Sequence, residues 1–101
     1  SNRSLELEAK LDTGVDMTVL PQYVVDELRL IPASRVSISS FDGRKALRYT
    51  YFINISFNSF EYKMVEVISA KRQDAILGRD VLNKLKIVLD GKNLSFNLLD
   101  P

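Results

Sequence analysis

Residues 11–20 read LDTGVDMTVL, and they continue directly from residues 5–11, LELEAKL, in which apolar and polar side chains alternate. Strict alternation is typical of a strand with one buried side and one solvent-facing side. Such a strand delivers Asp12 into a loop, where Gly14 lacks a β-carbon and lets other groups approach the backbone closely. A short β-prone run follows at residues 18–20. The sequence therefore places an aspartate in a loop between two strands.

β signals dominate the rest of the chain. Runs rich in Val, Ile, Thr and aromatic residues are separated by turn residues such as Asp42-Gly43, the usual pattern of hairpins. Apolar spacings of three and four residues predict a helix over residues 22–30, and a second short helix follows for which Asp80 is a candidate cap. The predicted strands are residues 5–11, 18–20, 35–41, 45–57, 61–69, 75–77, 86–89 and 94–98. The sequence thus predicts one mainly β domain over residues 1–101, with two short helices.

The chemistry open to this chain is limited by the residue types that it lacks. Its 101 residues include no His and no Cys. This composition excludes disulfides, the usual zinc and redox-metal sites, and the Ser-His-Asp and Cys-His nucleophile arrangements. Acid–base chemistry must therefore come from carboxylates, Lys or Tyr, and we expect neither a metal nor a cofactor.

The charges are balanced, with 14 Lys and Arg against 13 Asp and Glu, spread evenly over both halves of the chain. A nucleic-acid-binding protein normally carries a basic excess or stripe, so a nucleic-acid-binding barrel is the least favoured reading. No apolar run is long enough to cross a bilayer, and no signal peptide is visible. A cytoplasmic location, without nucleic-acid or membrane partners, is the default expectation.

Three features of the chain point to one protein family by their order and spacing. They are LDTGVDMTVL at residues 11–20, a hairpin with its turn at Asp42-Gly43, and AILGRDVL at residues 75–82. They closely resemble the active-site segment, the flap and the second signature of the retropepsins, the retroviral-type aspartic proteases. An isolated Asp-Thr-Gly could be an ordinary strand-ending turn, but here all three features agree. The resemblance implies a closed, β-barrel-like acid protease fold.

The resemblance also implies roles for individual residues. Asp12, Thr13 and Gly14 match a catalytic carboxylate, a hydroxyl that links two such loops, and a carbonyl that faces the substrate backbone. Asp16 and Arg79 match an ion pair beside the site, with separate solvated charges as the alternative. The positions that match substrate contacts are Lys10, Val15, Asp16, Met17, Phe41, Asp42, Gly43, Arg44 and Ile76, the last of which would suit any core strand equally well.

Three features depart from the viral members of this family. Only eleven residues precede Asp12 here, where viral members have an additional strand. Lys10 stands where they carry an apolar pocket residue, which indicates either a preference for acidic substrate side chains or a solvent-facing lysine. The flap tip has a single glycine with basic neighbours, so residues 41–45 could also form an ordinary exposed hairpin. These departures favour a cellular retropepsin-like protein over a viral enzyme.

Peptide hydrolysis of this kind needs two carboxylates that face each other across one water molecule. The chain contains a single Asp-Thr-Gly, because the Asp-Gly pairs at residues 42–43 and 90–91 lack the hydroxyl residue and lie at predicted turns. We therefore expect two copies of Asp12 to meet in a homodimer, with Leu94, Phe96, Leu98 and Leu99 as a candidate interface strand. The predicted function is an aspartic endopeptidase acting on polypeptides. The alternative is a non-catalytic dimerisation or peptide-binding module of the same fold.

Overall fold

The computed structural model describes residues 3–39, 42–93 and 95–99, which form eight strands and two short helices. In chain order these are β1 (Ala9–Leu11), β2 (Val19–Pro21), α1 (Gln22–Glu27), β3 (Ser34–Ser39), β4 (Lys45–Phe57), β5 (Phe60–Ala70), β6 (Ala75–Leu77), α2 (Arg79–Leu82), β7 (Lys86–Asp90) and β8 (Ser95–Leu99). The chain is mainly β with two short helices, as the sequence predicts. Among the described residues, no helix is long and apolar enough to cross a membrane.

Six strands form one sheet in the order β1-β6-β2-β5-β4-β3, while β7 and β8 form a separate hairpin. β6 lies between β1 and β2. It runs parallel to β1 and antiparallel to β2, with Val19 opposite Ile76. The chain therefore leaves β1, passes over the end of β6 and returns on its other side. This crossing sets the position of residues 12–18, the loop that carries Asp12, which we call the aspartate loop.

The core forms where the two helices meet the central strands. Val24 and Val25 of α1 and Val81 of α2 are buried in one cluster with Tyr51 of β4 and Val67 of β5. Burying a valine-sized side chain contributes about 1.5–3 kcal/mol, and helices this short depend on such packing because they are unstable alone. Since α2 follows β6 almost directly, the same packing fixes the end of β6 beneath the aspartate loop.

β1 and α1 are shorter than the sequence predicts. β1 begins at Ala9 instead of residue 5, because its partner β6 has only three residues and the ladder ends where the Ala75 N–H donates to the Glu8 carbonyl oxygen at 3.0 Å. α1 ends at Glu27 instead of residue 30, because Arg29 adopts a left-handed conformation with φ of 52° that cannot continue the helix. Both ends are set by contacts and conformations that apolar periodicity does not encode.

The six strands of the described sheet end with β1 on one side and β3 on the other. The β7–β8 hairpin stands apart from this sheet, and no other described element packs extensively against it. One of its faces is apolar throughout, because Ile87 lies opposite Leu98 and Leu89 lies opposite Phe96. Leu89 and Phe96 are exposed. Among the described residues, this face is therefore uncovered at Leu89 and Phe96, whereas Ile87 and Leu98 are half-buried.

Candidate active site

Asp12 lies at the exit of β1, and its N–H donates to the Leu77 carbonyl oxygen at 3.0 Å, which extends the ladder to β6. Its side chain is exposed. The Gly14 N–H donates to Asp12 Oδ1 at 2.8 Å, so the backbone of the loop orients the carboxylate. A β-carbon at residue 14 would lie 3.2 Å from this oxygen, a close contact that glycine avoids. Among the described residues no donor reaches Oδ2, which leaves that oxygen open to a water or a substrate.

The N-terminus of α2 packs directly against the aspartate loop. A β-carbon at Gly78 would lie within 3 Å of loop backbone atoms, including the Val15 carbonyl oxygen at 2.8 Å, so only glycine permits this approach. The Arg79 N–H donates to the Val15 carbonyl oxygen at 2.8 Å, and the Asp80 N–H donates to the Asp16 carbonyl oxygen at 3.2 Å. α2 therefore fixes the loop backbone just beyond Asp-Thr-Gly.

Thr18 and Asp80 join the far end of the aspartate loop to α2. The Thr18 N–H donates to Asp80 Oδ2 at 3.0 Å, and the Thr18 hydroxyl donates to Asp80 Oδ1 at 2.9 Å. The same hydroxyl accepts from the Gly78 N–H at 3.2 Å, and Asp80 Oδ1 also accepts from the Val81 N–H at 2.9 Å. The expected cap role of Asp80 is wrong, because the N-cap residue of α2 is Gly78 and Asp80 lies within the helix.

Asp16 and Arg79 form an ion pair at the surface of the loop, between Asp16 Oδ1 and Arg79 Nη2. The two side chains are 80% and 46% exposed, respectively. Ion pairs this exposed contribute about 0–1 kcal/mol, because water screens the charges and the side chains lose rotational freedom. The pair lies where the resemblance implies, but its exposure makes it a weak brace for the loop.

Lys10 is directed towards Asp74. Its Nζ lies 3.5 Å from Asp74 Oδ2, and the lysine side chain is 74% exposed. Asp74 also accepts from Arg72 Nη2 at 2.8 Å. The hydrogen bond from Arg72, aided by the charges of Lys10 and Arg72, lowers the pKa of Asp74 against the opposing effect of burial. Because Asp74 already neutralises part of the Lys10 charge, the solvent-facing alternative for Lys10 fits better than a pocket that prefers acidic side chains.

The remaining predicted contact residues lie around the loop. Val15, Met17 and Ile76 are half-buried, and Ile76 belongs to β6 beneath the loop. An open groove of about 540 Å³ lies beside Lys10, with walls from the segment before β1, from α1 and from the loop before β6. Its lining residues are Glu6, Leu7, Glu8, Lys10, Tyr23, Gln73 and Asp74. Asp12 does not line this groove, so its carboxylate stands outside it on the exposed loop.

The sequence profile of a family described as aspartyl protease matches residues 2–81. This chain belongs to the aspartyl protease family. The match spans both segments whose contacts build the site, the aspartate loop and the β6–α2 segment. Comparisons with curated proteins and with solved structures gave no match.

In this member of the aspartyl protease family, the predicted flap is the end of the β3–β4 hairpin. Arg44 closes the turn on Asp42: its N–H donates to Asp42 Oδ1 at 3.1 Å, and its Nε lies 3.2 Å from Asp42 Oδ2. Gly43 has φ of 79°, a conformation that side chains disfavour. Phe41 lies outside the described residues. The charged neighbours of the single glycine thus serve to fold the turn itself.

Sequence reasoning missed the contact between Thr18 and Asp80, which are 62 residues apart. Thr18 is only 1% exposed, although it stands at the end of a polar loop. The available signal was a hydroxyl residue placed directly before the apolar run of β2, because a buried hydroxyl needs a partner. This contact joins the loop that carries Asp12 to α2.

Proposed function

We propose that this aspartyl protease is an aspartic endopeptidase of the retropepsin type that acts as a homodimer, and that it is nearer to cellular retropepsin-like proteins than to viral enzymes. The observation that carries the proposal is the Asp12 carboxylate, held on one oxygen by the Gly14 N–H and open on the other. A carboxylate fixed in this way is suited to bind and activate a water molecule. The alternative of a non-catalytic module requires no such orientation.

The need for a second copy follows from the chemistry. One carboxylate cannot both remove a proton from the water and donate a hydrogen bond to the substrate carbonyl oxygen. The sequence contains a single Asp-Thr-Gly, and we propose that the second carboxylate comes from a second copy of it. A two-fold axis through the site would supply it, because such an axis brings the same residue of both chains together. Thr13 of each loop would then lie near the axis and link the two loops.

In the proposed reaction, the two Asp12 carboxylates share one proton, since like charges this close do not ionise together, as is general for aspartic proteases. The ionised carboxylate takes a proton from the water while the water oxygen attacks the peptide carbonyl carbon. The protonated carboxyl group donates a hydrogen bond to the carbonyl oxygen. As the water oxygen attacks, the protonated carboxyl group passes its proton to the carbonyl oxygen, which gives a tetrahedral diol. The C–N bond of the diol then breaks as the carboxyl group that took the water proton gives it to the nitrogen, while the other carboxylate takes a proton from a diol hydroxyl. These steps release a carboxylic acid and an amine and leave one proton shared by the pair.

The substrate would lie as an extended strand between the dyad and the flap, with main-chain hydrogen bonds giving affinity and alternate side-chain pockets giving preference. Leu47 and Tyr49 support this placement. Both share the face of β4 that carries buried Tyr51, yet they are 66% and 55% exposed beyond the core. Apolar side chains on this face of the flap hairpin would cover a bound peptide and exclude water from it.

The apolar face of the β7–β8 hairpin is our candidate for the dimer interface. Its four residues, Ile87, Leu89, Phe96 and Leu98, are brought together by the strand register. Of the interface strand that the sequence predicts, Phe96 and Leu98 belong to this face, Leu99 lies on the other face, and Leu94 lies outside the described residues. An uncovered apolar hairpin invites association, and the site itself requires a second copy of the same chain.

Replacing Asp12 by Asn tests the proposal. We expect cleavage of a peptide library at about pH 5 to fall at least about 10³-fold, because the amide cannot take the proton from the water. Asp26→Asn on the exposed face of α1 is the matched control, and it should cleave like the wild type. Mass spectrometry detects the fragments, and a statine-type transition-state mimic should suppress them. Equal cleavage by Asp12→Asn and wild type would end the proposal, and peptide binding without fragments would favour the non-catalytic module.

A further inference from the structure

The aspartate loop is held by two polar contacts with α2, and they differ in burial. The Asp16–Arg79 ion pair is largely exposed. The contact between Thr18 and Asp80 is partly buried, and Thr18 itself is almost completely buried. A hydrogen bond to a charged group is stronger in a buried setting than at the surface, because water competes less for the same atoms. The Thr18–Asp80 contact is therefore the stronger of the two.

Asp80 meets hydrogen-bond donors at both of its carboxylate oxygens. Oδ2 accepts from the Thr18 N–H, while Oδ1 accepts from the Val81 N–H and the Thr18 hydroxyl. The hydroxyl cannot simply turn away, because it accepts from the Gly78 N–H while it donates to Asp80. Each oxygen thus accepts a hydrogen bond from a backbone N–H, which cannot turn towards another acceptor as a hydroxyl can.

An asparagine at this position would fit the space but could accept hydrogen bonds at only one of its two terminal atoms. It has one carbonyl oxygen and one NH₂ group, and the NH₂ group only donates. In one orientation the NH₂ group would face the Thr18 N–H, and in the other it would face the Val81 N–H. In the first case the Thr18 N–H would lose its acceptor, and in the second the Val81 N–H would keep only the Gly78 carbonyl oxygen at 3.2 Å. A carboxylate, which accepts at both oxygens, therefore suits this position better than an amide of the same size.

From this geometry we infer that Asp80 is a positioning residue for Asp12, and this inference rests on the proposed function. Asp80 fixes one end of the aspartate loop through Thr18, while β6 fixes the other end through Asp12 itself. Loss of the Thr18–Asp80 contact lets the aspartate loop shift relative to the aspartate loop of the second copy in the proposed dimer. Small displacements of catalytic groups lower the rate of the chemical step strongly. Substrate binding through many contacts along an extended strand changes less. The change thus reduces kcat more than it raises KM.

The test compares Asp80→Asn with the control Asp26→Asn, at a concentration where sedimentation shows both variants fully dimeric. We expect kcat of Asp80→Asn to fall about 10- to 100-fold with KM within about threefold of wild type, and the Gly14 amide to exchange hydrogen faster. A kcat within about twofold of wild type, or an equal fall in Asp26→Asn, overturns the inference.

A second pair of variants covers the case in which Asp80→Asn does not fold. Thr18→Val removes the hydroxyl and Thr18→Ser keeps it, so a tenfold lower kcat in Thr18→Val alone supports the inference, and equal rates in the pair overturn it. If the wild type cleaves no peptide, the proposed function fails. The exchange rate of the Gly14 amide then decides the role of Asp80 by itself, with faster exchange in Asp80→Asn supporting it and unchanged exchange overturning it.

Discussion

Asp74 connects two cations beside the strand that leads to Asp12. Arg72 and Lys10 both bind its carboxylate, and its pKa lies below the ordinary value of 3.8, chiefly because of the Arg72 hydrogen bond. A carboxyl group whose pKa is lower in the folded state contributes stability above its unfolded pKa, and that contribution is lost as the pH falls through the folded value. The contribution is therefore fully present at neutral pH and absent in strong acid.

Asp74→Asn should for this reason lower the unfolding midpoint at neutral pH, and the difference from the wild type should shrink towards about pH 2 as the wild-type carboxyl group takes up its proton. Thermal unfolding of both chains between these two pH values measures the difference. Asp26→Asn, whose side chain accepts a hydrogen bond from Gln22 alone among the described residues, serves as the control. A midpoint difference that stays constant from neutral pH to about pH 2 would contradict the assignment.

The ends of an element could be predicted where neighbouring residues in the sequence set them. They could not be predicted where hydrogen bonds to a distant strand set them. β4 has the predicted bounds, Lys45–Phe57, because turn residues at Asp42-Gly43 and at Asn58 limit it on both sides. β1 is shorter than its alternating pattern, because a strand extends only as far as its neighbour offers hydrogen bonds. The contact of Thr18 with Asp80 depends on the crossing of the chain around β6, which no local pattern records. The loop residues were thus predictable, whereas the contacts that position them were not.

The β4–β5 ladder contains a bulge that its sequence disfavours. The register shifts between Ile53 and Ile55, and Met64 opposite them adopts φ of 54°. A left-handed conformation costs an L-residue about 1–2 kcal/mol, more than the entropy that a glycine loses on folding, about 0.5–1 kcal/mol. Met64 is also 67% exposed, so little packing would be lost with its side chain.

Met64→Gly should therefore stabilise the protein by roughly 0.5–1 kcal/mol, measured by urea unfolding at equilibrium. The hydrogen bond from the residue 64 N–H to Asn54 Oδ1, at 3.0 Å, does not need the side chain and would remain. Lys63→Gly is the matched control, since Lys63 is exposed in the same strand without a positive φ, and it should be destabilising. A loss of stability in both variants would show that the bulge stores no strain at Met64.

At the scale of the whole molecule, the proposed activity depends on the association of two chains. The catalytic carboxylates would meet only in the dimer, so the specific activity should fall on dilution together with the dimer fraction. Sedimentation and peptide cleavage measured over the same dilution series should give the same midpoint concentration. Activity that persists where sedimentation finds only single chains would exclude a site shared between two copies.

Leu89→Lys then tests which surface joins the copies. Leu89 is 77% exposed and lies on the apolar face of the β7–β8 hairpin, and burying a leucine contributes about 1.5–3 kcal/mol. A charge there should raise the dimer dissociation constant by at least about 30-fold, because each interface would lose two such contacts. Asn97→Lys introduces the same charge on the opposite face of the hairpin, where Asn97 pairs with Val88, and should leave the constant nearly unchanged. If Leu89→Lys loses activity at low concentration and regains it at high concentration, the apolar face is the interface. Equal effects of the two lysines would instead mean that the copies meet elsewhere.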